Sequence, residues 1–405
     1  MNKTTNILII THWSYRDALI QTYTLPYLRI IRNYIKQKQE IILVTSEQKS
    51  IGLTKLEETQ IKKNLEEENI ILVTQPYRKM GFLKIIYLIL HLVNLIKIIK
   101  KNKVSTIHCF CTPAGSIGYL LSVITGAKLI IDSYEPHAES MVENNTWKKN
   151  GLPFRILFLF EKLQSYRAKC LIATTSSMEA YAKKKYGVVP NVFYVKPACV
   201  NLNLFNLQTK DTRLLEELGL SDMIVCVYSG KLGGIYLNEE VFDFIKQCYV
   251  FWGNKFRFLL LTNSPKDHVH KQVVRVNLPE HVTIQKYVQF DQISRYLSLA
   301  DFAINFVNPV STKKHCTSIK DGEYWASGLP IVITKNISDD SEIIRNSGFG
   351  YELQRLDLSE YKLAILAINS LINGDINSLR KNIRKIAIRY RDYEIAEKIY
   401  EEIYS

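Results

Sequence analysis

The 405-residue sequence predicts an α/β protein of two successive domains, each built on a parallel sheet. Three observations carry that expectation. Short apolar runs alternate with longer helical patterns from the N-terminus, and the same rhythm begins afresh after residue 210. From Cys316 to Thr334 a polar loop, a short helix, a Gly-Leu-Pro stop and an apolar strand follow one another.

In the first half, 6–11 and 40–45 read as strands with a helix over 26–37 between them. Strands follow at 69–73, 105–110, 128–132, 170–174 and 191–195. In the second half they fall at 224–229, 256–262, 282–285, 302–306 and 331–334. Strands separated by helices imply right-handed βαβ crossovers and parallel pairing. The stretch 196–205 is the natural crossing point, so domains are expected over 1–200 and 201–380, with a C-terminal helix over 381–405. No short-period repeat is visible, which argues against a solenoid.

The stretch 81–103 is strongly apolar from Phe82 to Ile99, yet Lys84, His91, Asn94 and Lys97 interrupt it. A bilayer span needs about 20 residues nearly free of charge. Two readings remain: a helix packed on the sheet, or an interfacial helix flanked by Arg78-Lys79 and Lys100-Lys101-Asn102-Lys103.

With 47% hydrophobic and 23% charged residues, the composition is that of an ordinary soluble globular protein. Residues 7–10 are too short for a signal-peptide core. The seven cysteines are scattered, and the close pair Cys109/Cys111 sits in a strand pattern. Without CxxC or His-rich spacing, a reduced, cytoplasmic protein with no metal site is expected. Residues 1–200 carry 28 Lys and Arg against 14 Asp and Glu, whereas 201–405 balance at 25 and 25. No nucleic-acid-binding signature accompanies the excess. An anionic membrane surface or an anionic lipid-linked substrate fits it, as does a merely solvated basic face.

Chemistry concentrates in 316–334. Ser318 suits an N-cap, Gly328 suits the left-handed residue that ends a helix, and Pro330 cannot continue one. A helix start offers unpaired N–H groups and a positive dipole end to a phosphate. Glu323, five residues beyond Ser318, lies roughly 7.5 Å along the axis at 1.5 Å per residue. That is the reach from a pyrophosphate to the ribose of its nucleotide, whose hydroxyls a carboxylate can accept. Gly230-Lys231-Leu232-Gly233-Gly234 matches neither G-x-G-x-x-G nor G-x-x-x-x-G-K-[ST], which disfavours a dinucleotide dehydrogenase or a P-loop NTPase. No G-x-S-x-G elbow supports a serine hydrolase.

Lys320-Asp321-Gly322-Glu323-Tyr324-Trp325-Ala326-Ser327-Gly328-Leu329-Pro330 resembles the "K-x-x-E-y-x-A-x-G-x-P" signature of retaining GT-B glycosyltransferases related to glycogen synthase. Tyr228–Gly234 is similar to that family's glycine loop, 282–301 to its "V-x-f-x-G-x-v…A-D" segment, and 196–205 to its linker. The resemblance covers most of 190–400. It implies two Rossmann-like domains facing across a cleft, with the second holding a nucleotide sugar. It further implies that Glu323 binds ribose, that Gly230, Ser318, Ile319 and Lys320 line the pyrophosphate, and that Lys231 neutralises the leaving diphosphate in place of a metal. The chain lacks Asp-x-Asp, in keeping with no metal cofactor.

Departures are specific. His315 stands where many members have a second glutamate, and Tyr236 where many have a second lysine. His315 is therefore a candidate contact to donor sugar or phosphate. In the first half, Asp132-Ser133-Tyr134-Glu135-Pro136-His137-Ala138-Glu139 is similar to "D-x-H-E-x-x-x-E", with Tyr134 replacing the histidine. Glu135 and His137 become candidates to orient the acceptor or take its proton, and Asp132 and Arg16 candidates on the acceptor side. His12 and His108 read as strand-end or core residues. The expected activity is glycosyl transfer to a glycan or lipid-linked acceptor at the inner face of a membrane, without nucleic acid. A sugar-nucleotide epimerase and a non-catalytic binding protein of the same fold are the alternatives.

Overall fold

The computed structural model describes residues 5–48, 50–77 and 82–405, with the side chains of 82–86 excepted. Arg78, Lys79 and Gly81 lie outside the described residues. The chain divides into two compact units, Met1–Lys196 with Ala396–Ser405, and Pro197–Ile395. The second change of unit comes later than residue 380 for a packing reason. Helix Ile376–Arg391 buries Leu379, Ile383, Ile386 and Ala387 in the second unit's core, so only the last ten residues return to the first.

The first unit holds strands β1 (Asn6–Ile10), β2 (Ile41–Glu47), β3 (Ile70–Pro76), β4 (Val104–Phe110), β5 (Lys128–Tyr134), β6 (Cys170–Ala173) and β7 (Phe193–Val195). They form one sheet in the order β3-β2-β1-β4-β5-β6-β7, every pair parallel. The central strands are continuous apolar runs because helices cover both faces of such a sheet. The second unit holds β8 (Ile224–Ser229), β9 (Phe256–Leu261), β10 (Thr283–Lys286), β11 (Phe302–Asn305), β12 (Ile331–Thr334) and β13 (Gly350–Leu353), in the order β10-β9-β8-β11-β12-β13, again all parallel. Strand β13 carries no apolar run in the sequence. Its Gly-Tyr-Glu-Leu pairs on one side only, at the sheet edge. Each sheet reverses its strand order once, between β1 and β4 and between β8 and β11, where open α/β sheets place their ligands.

Helix Phe82–Lys101 packs Leu95 and Ile99 into the first core while Ile89, Leu90 and Val93 stay exposed. Among the described residues no helix is long and apolar enough to cross a membrane.

Asp132, expected on the acceptor side, is instead a buried structural charge with no exposed surface. Lys196 Nζ stands 3.2 Å from its Oδ1 and His108 Nε2 3.3 Å from its Oδ2. Tyr400 donates to Oδ2 at 2.6 Å, and the Ser133 N–H donates to Oδ1 at 2.6 Å. Burial alone would raise the Asp132 pKa, but Lys196 and His108 outweigh it and hold the carboxyl at about 2. Lys196 also lies 3.5 Å from the Tyr27 ring centre, and Tyr404 bonds His108 Nδ1 at 2.6 Å. The returning C-terminal helix, Tyr393–Tyr404, is thus fastened to the first sheet through two tyrosines.

Removing one partner of a buried ion pair costs about 3–5 kcal/mol, and orphaning one buried hydrogen-bond acceptor about 1–3 kcal/mol. Lys196→Met is therefore expected to destabilise the first unit far more than Tyr400→Phe in urea unfolding. A Lys196→Met protein as stable as wild type would contradict the network.

Candidate functional site

At the switch point of the second sheet, β8 ends in Ser229 and the chain turns at Gly230, whose φ is +132°. A side chain on Gly230 would meet Lys320, with Nζ and Cε each 3.1 Å from the Cβ position. Positive φ and close approach together require glycine here. The loop then pairs with the segment after β11: Tyr236 bridges Val307, and the Leu237 N–H donates to the Phe306 carbonyl at 2.9 Å.

Against this loop stands helix Ile319–Ala326. Ser318 occupies the N-cap in extended conformation, yet its side chain caps nothing and its Oγ is buried without a partner among the described residues. Thr317 fixes the loop by accepting the Ala198 N–H at 3.0 Å. The helix stops where the sequence requires, with Gly328 at φ +74° directly before Leu329-Pro330.

Lys320 is buried, with Nζ donating to the Tyr228 hydroxyl at 3.0 Å and lying 3.4 Å from the Tyr236 ring centre. Tyr228 in turn donates to the Lys231 carbonyl at 2.7 Å, so the glycine loop and the helix share one tyrosine. Burial drives the Lys320 pKa down to about 7, against the pull of Asp321 and Glu323. Glu323 is only 5% exposed, accepts no hydrogen bond among the described residues, and is lifted by burial to about 8, with Lys320 pulling the other way. A base and an acid held near neutrality on one helix suit a ligand that supplies what the fold withholds: anionic oxygens for the ammonium and hydroxyls for the carboxylate.

The same helix is pinned from behind. Asp321 accepts from Asn305 at 2.7 Å, and Asp340 pairs with the buried Arg391, whose guanidinium stands 5.5 Å from the Trp325 ring centre. Burial and the neighbouring Asp340 charge raise the Asp321 pKa well above the carboxylate range, and burial raises Asp340 as well, against the pull of Arg391. Arg391 Nη1 donates to the Ala198 carbonyl at 3.3 Å, closing the frame around the loop of Thr317.

The structure thus brings Gly230, Ser318, Ile319, Lys320 and Glu323 into one place. The Lys231 side chain is exposed, with no polar partner among the described residues; its backbone belongs to the site. His315 ends the short turn Ser311–His315 just ahead of the helix and is half-buried.

No family model matches the chain, and no curated protein does. Solved structures do. Anabaena HepE, in complex with UDP, superposes with a TM-score of 0.73 at 16% identity over 98% of this chain and 99% of its own. Sucrose-phosphate synthase from Thermosynechococcus elongatus gives 0.73 at 14% identity over 99% and 98%. WaaG, a glycosyltransferase involved in lipopolysaccharide biosynthesis, gives 0.70 at 12% identity over 98% and 99%. The fold is GT-B.

In the first unit of this GT-B fold, Glu135 and His137 follow β5 on a turn that leads into helix His137–Glu143. Both are half-buried, and Thr174 donates to Glu135 Oε1 at 3.1 Å. Arg16, a candidate on the acceptor side, is exposed, and its guanidinium binds the Glu57 carboxylate, itself the end of a capping box with Thr54. Sequence reasoning passed over Tyr228, which carries no motif signal of its own, and left Tyr236 without a role. It also passed over Arg391 and Asp340, which lie 51 residues apart.

The Glu323 pKa, raised in the folded state, contributes stability that is present below the unfolded value of 4.5 and is lost as pH rises through about 8. Glu323→Gln should therefore stabilise the second unit at pH 8.5 by on the order of a few kcal/mol, with roughly 5 kcal/mol as the ceiling set by the shift from 4.5 to about 8 at 1.36 kcal/mol per unit. The gain should vanish below pH 4.5, where both forms are neutral. Urea unfolding at the two pH values measures this, and a destabilised variant at the higher pH would contradict the burial assignment.

Proposed function

We propose that the protein is a glycosyltransferase that moves a sugar from a nucleotide-sugar donor to a hydroxyl of an acceptor. The observation that carries the reading is the buried Lys320/Glu323 pair at a helix start beside the Gly230 turn, at the switch point of the second sheet. The fold likeness to HepE, whose structures contain UDP and UDP-glucose, supports a nucleotide-sugar donor.

In this reading the diphosphate lies on the N–H groups at Ser318, Ile319 and Lys320. The Lys320 ammonium faces it, and Lys231 reaches it from the glycine loop. Glu323 accepts the ribose hydroxyls. The pocket beyond β9 and β10, lined by Thr262, Asn263, Ser264, Gln285 and the exposed Tyr287, is about 380 Å³ and suits the base. Breaking the bond from anomeric carbon to diphosphate oxygen leaves negative charge on the nucleotide. Fixed cations stabilise that charge most when water is excluded, so no metal is required. The acceptor oxygen then bonds to the anomeric carbon with retention of configuration. His137 and Glu135 orient the acceptor or take its proton, and His315 touches the donor sugar or phosphate.

The acceptor we favour is a glycan or lipid-linked glycan at an anionic membrane surface, with assembly of a surface polysaccharide as its setting. The excess of 28 basic over 14 acidic residues in the first 200 supports this, as do exposed Ile89, Leu90 and Val93 beside Lys97, Lys100 and Lys101.

A thermal-shift panel of UDP-, GDP-, ADP- and dTDP-sugars tests the donor site. A ligand at 100 times its Kd stabilises by about 2.7 kcal/mol. One class is expected to raise the melting temperature of wild type but not of Lys320→Met or Glu323→Gln. No shift with any nucleotide sugar would refute the reading, and conversion of the free nucleotide sugar to its epimer would favour an epimerase.

A further inference from the structure

A second buried carboxyl, outside every motif in the sequence, sits beneath the Glu135–His137 turn. Glu161 lies on helix Leu152–Arg167 with no exposed surface. Its Oε1 accepts the Ala138 N–H at 2.9 Å and the Thr112 hydroxyl at 3.0 Å, and its Oε2 accepts the Tyr186 hydroxyl at 2.9 Å. The Thr112 hydroxyl is also 3.4 Å from the Glu135 carbonyl. One side chain therefore holds the residue after His137 directly and fixes Thr112, whose single hydroxyl hydrogen goes to Glu161 rather than to the Glu135 carbonyl 3.4 Å away.

The rest of the turn is gripped from the same side. Tyr134 and Ser165 share a hydrogen bond of 2.5 Å, Thr174 holds the Glu135 carboxylate, and Tyr181 donates to Glu139 at 2.6 Å. Two non-glycine residues take positive φ beside it, Cys111 at 72° and Ser133 at 50°. Such strain persists only where the surroundings over-determine the backbone, and it gathers at functional sites.

We propose that Glu161 is the positioning residue of the acceptor-side turn, holding Glu135 and His137 in their working place by gathering the Ala138, Thr112 and Tyr186 donors. The inference rests on the reading above, in which Glu135 and His137 serve the acceptor hydroxyl. A buried carboxylate is a costly structural anchor, since apolar residues of like volume often do as well or better. Its advantage is that it accepts three donors at once, which an amide cannot.

The groups facing Glu161 are Tyr134 on β5, Glu139 on helix His137–Glu143, and Tyr181 and Tyr186 on helix Ser177–Tyr186; none is a cation. Burial lifts its pKa to about 7, against the three hydrogen bonds that lower it. As pH falls below that value the carboxyl gains a proton and one donor loses its acceptor, so the turn loosens.

The test measures nucleoside diphosphate release from the nucleotide sugar that stabilises the protein most, with water as the acceptor hydroxyl. Wild type should lose kcat on the acid side with a midpoint near pH 7, read at saturating donor so that titration of Lys320 and Glu323 does not enter. Glu161→Gln should lower kcat about 10- to 100-fold, the size expected from small misplacement of a reacting group, and should abolish that limb. The Ala138 amide resonance, followed by NMR in wild type, should titrate with the same midpoint, which keeps the test open if the variant folds poorly. An unchanged kcat and limb in Glu161→Gln, or an Ala138 amide that does not titrate, would overturn the proposal alone. If His137→Ala and Glu135→Gln both keep full kcat, the acceptor-side reading falls and this inference with it.

Discussion

The second unit depends on one constraint: an eight-residue helix, Ile319–Ala326, that buries three ionisable side chains within four positions. Lys320 and Glu323 reach one side, toward the glycine turn, and Asp321 reaches the frame formed with Asn305, Asp340 and Arg391. Burying charge costs free energy unless it is paired. Asp321 accepts from Asn305, and Arg391 is paired with Asp340. Lys320 has only hydroxyl and ring partners, and Glu323 has none among the described residues.

The first unit uses buried charge differently. Asp132 is matched by Lys196, His108, Ser133 and Tyr400, so it secures the fold and the returning C-terminal helix. Glu161 has donors but no counter-charge among the described residues, and burial lifts its pKa to about 7. In this unit the buried carboxyl beside a cation settles low and the one without a cation near 7.

Much of the fold is legible in the chain because parallel strands are apolar on both faces. β8 and β12 match their expected bounds, whereas the polar edge strand β13 left no trace. The clustering of Ser318, Lys320 and Glu323 is legible for a local reason, since the cap and the two side chains fall within six residues of one short helix and its start. Asp132 misleads because its environment is made by distant chain: Tyr400 is 268 residues away. The partner of Arg16 is equally invisible in the sequence, since the capping-box glutamate it pairs with lies 41 residues on. Long-range pairing decides what an ionisable residue does, and neither spacing nor composition reports it.

The central claim is that a nucleoside diphosphate binds at the start of helix Ile319–Ala326. The most direct measurement is a crystal structure with the nucleotide that stabilises the protein most. The account predicts the diphosphate on the Ser318–Lys320 backbone, the Lys320 ammonium drawn toward it, and the ribose hydroxyls on Glu323. A nucleotide bound elsewhere, with Lys320 and Glu323 still buried against Tyr228 and Tyr236, would contradict it.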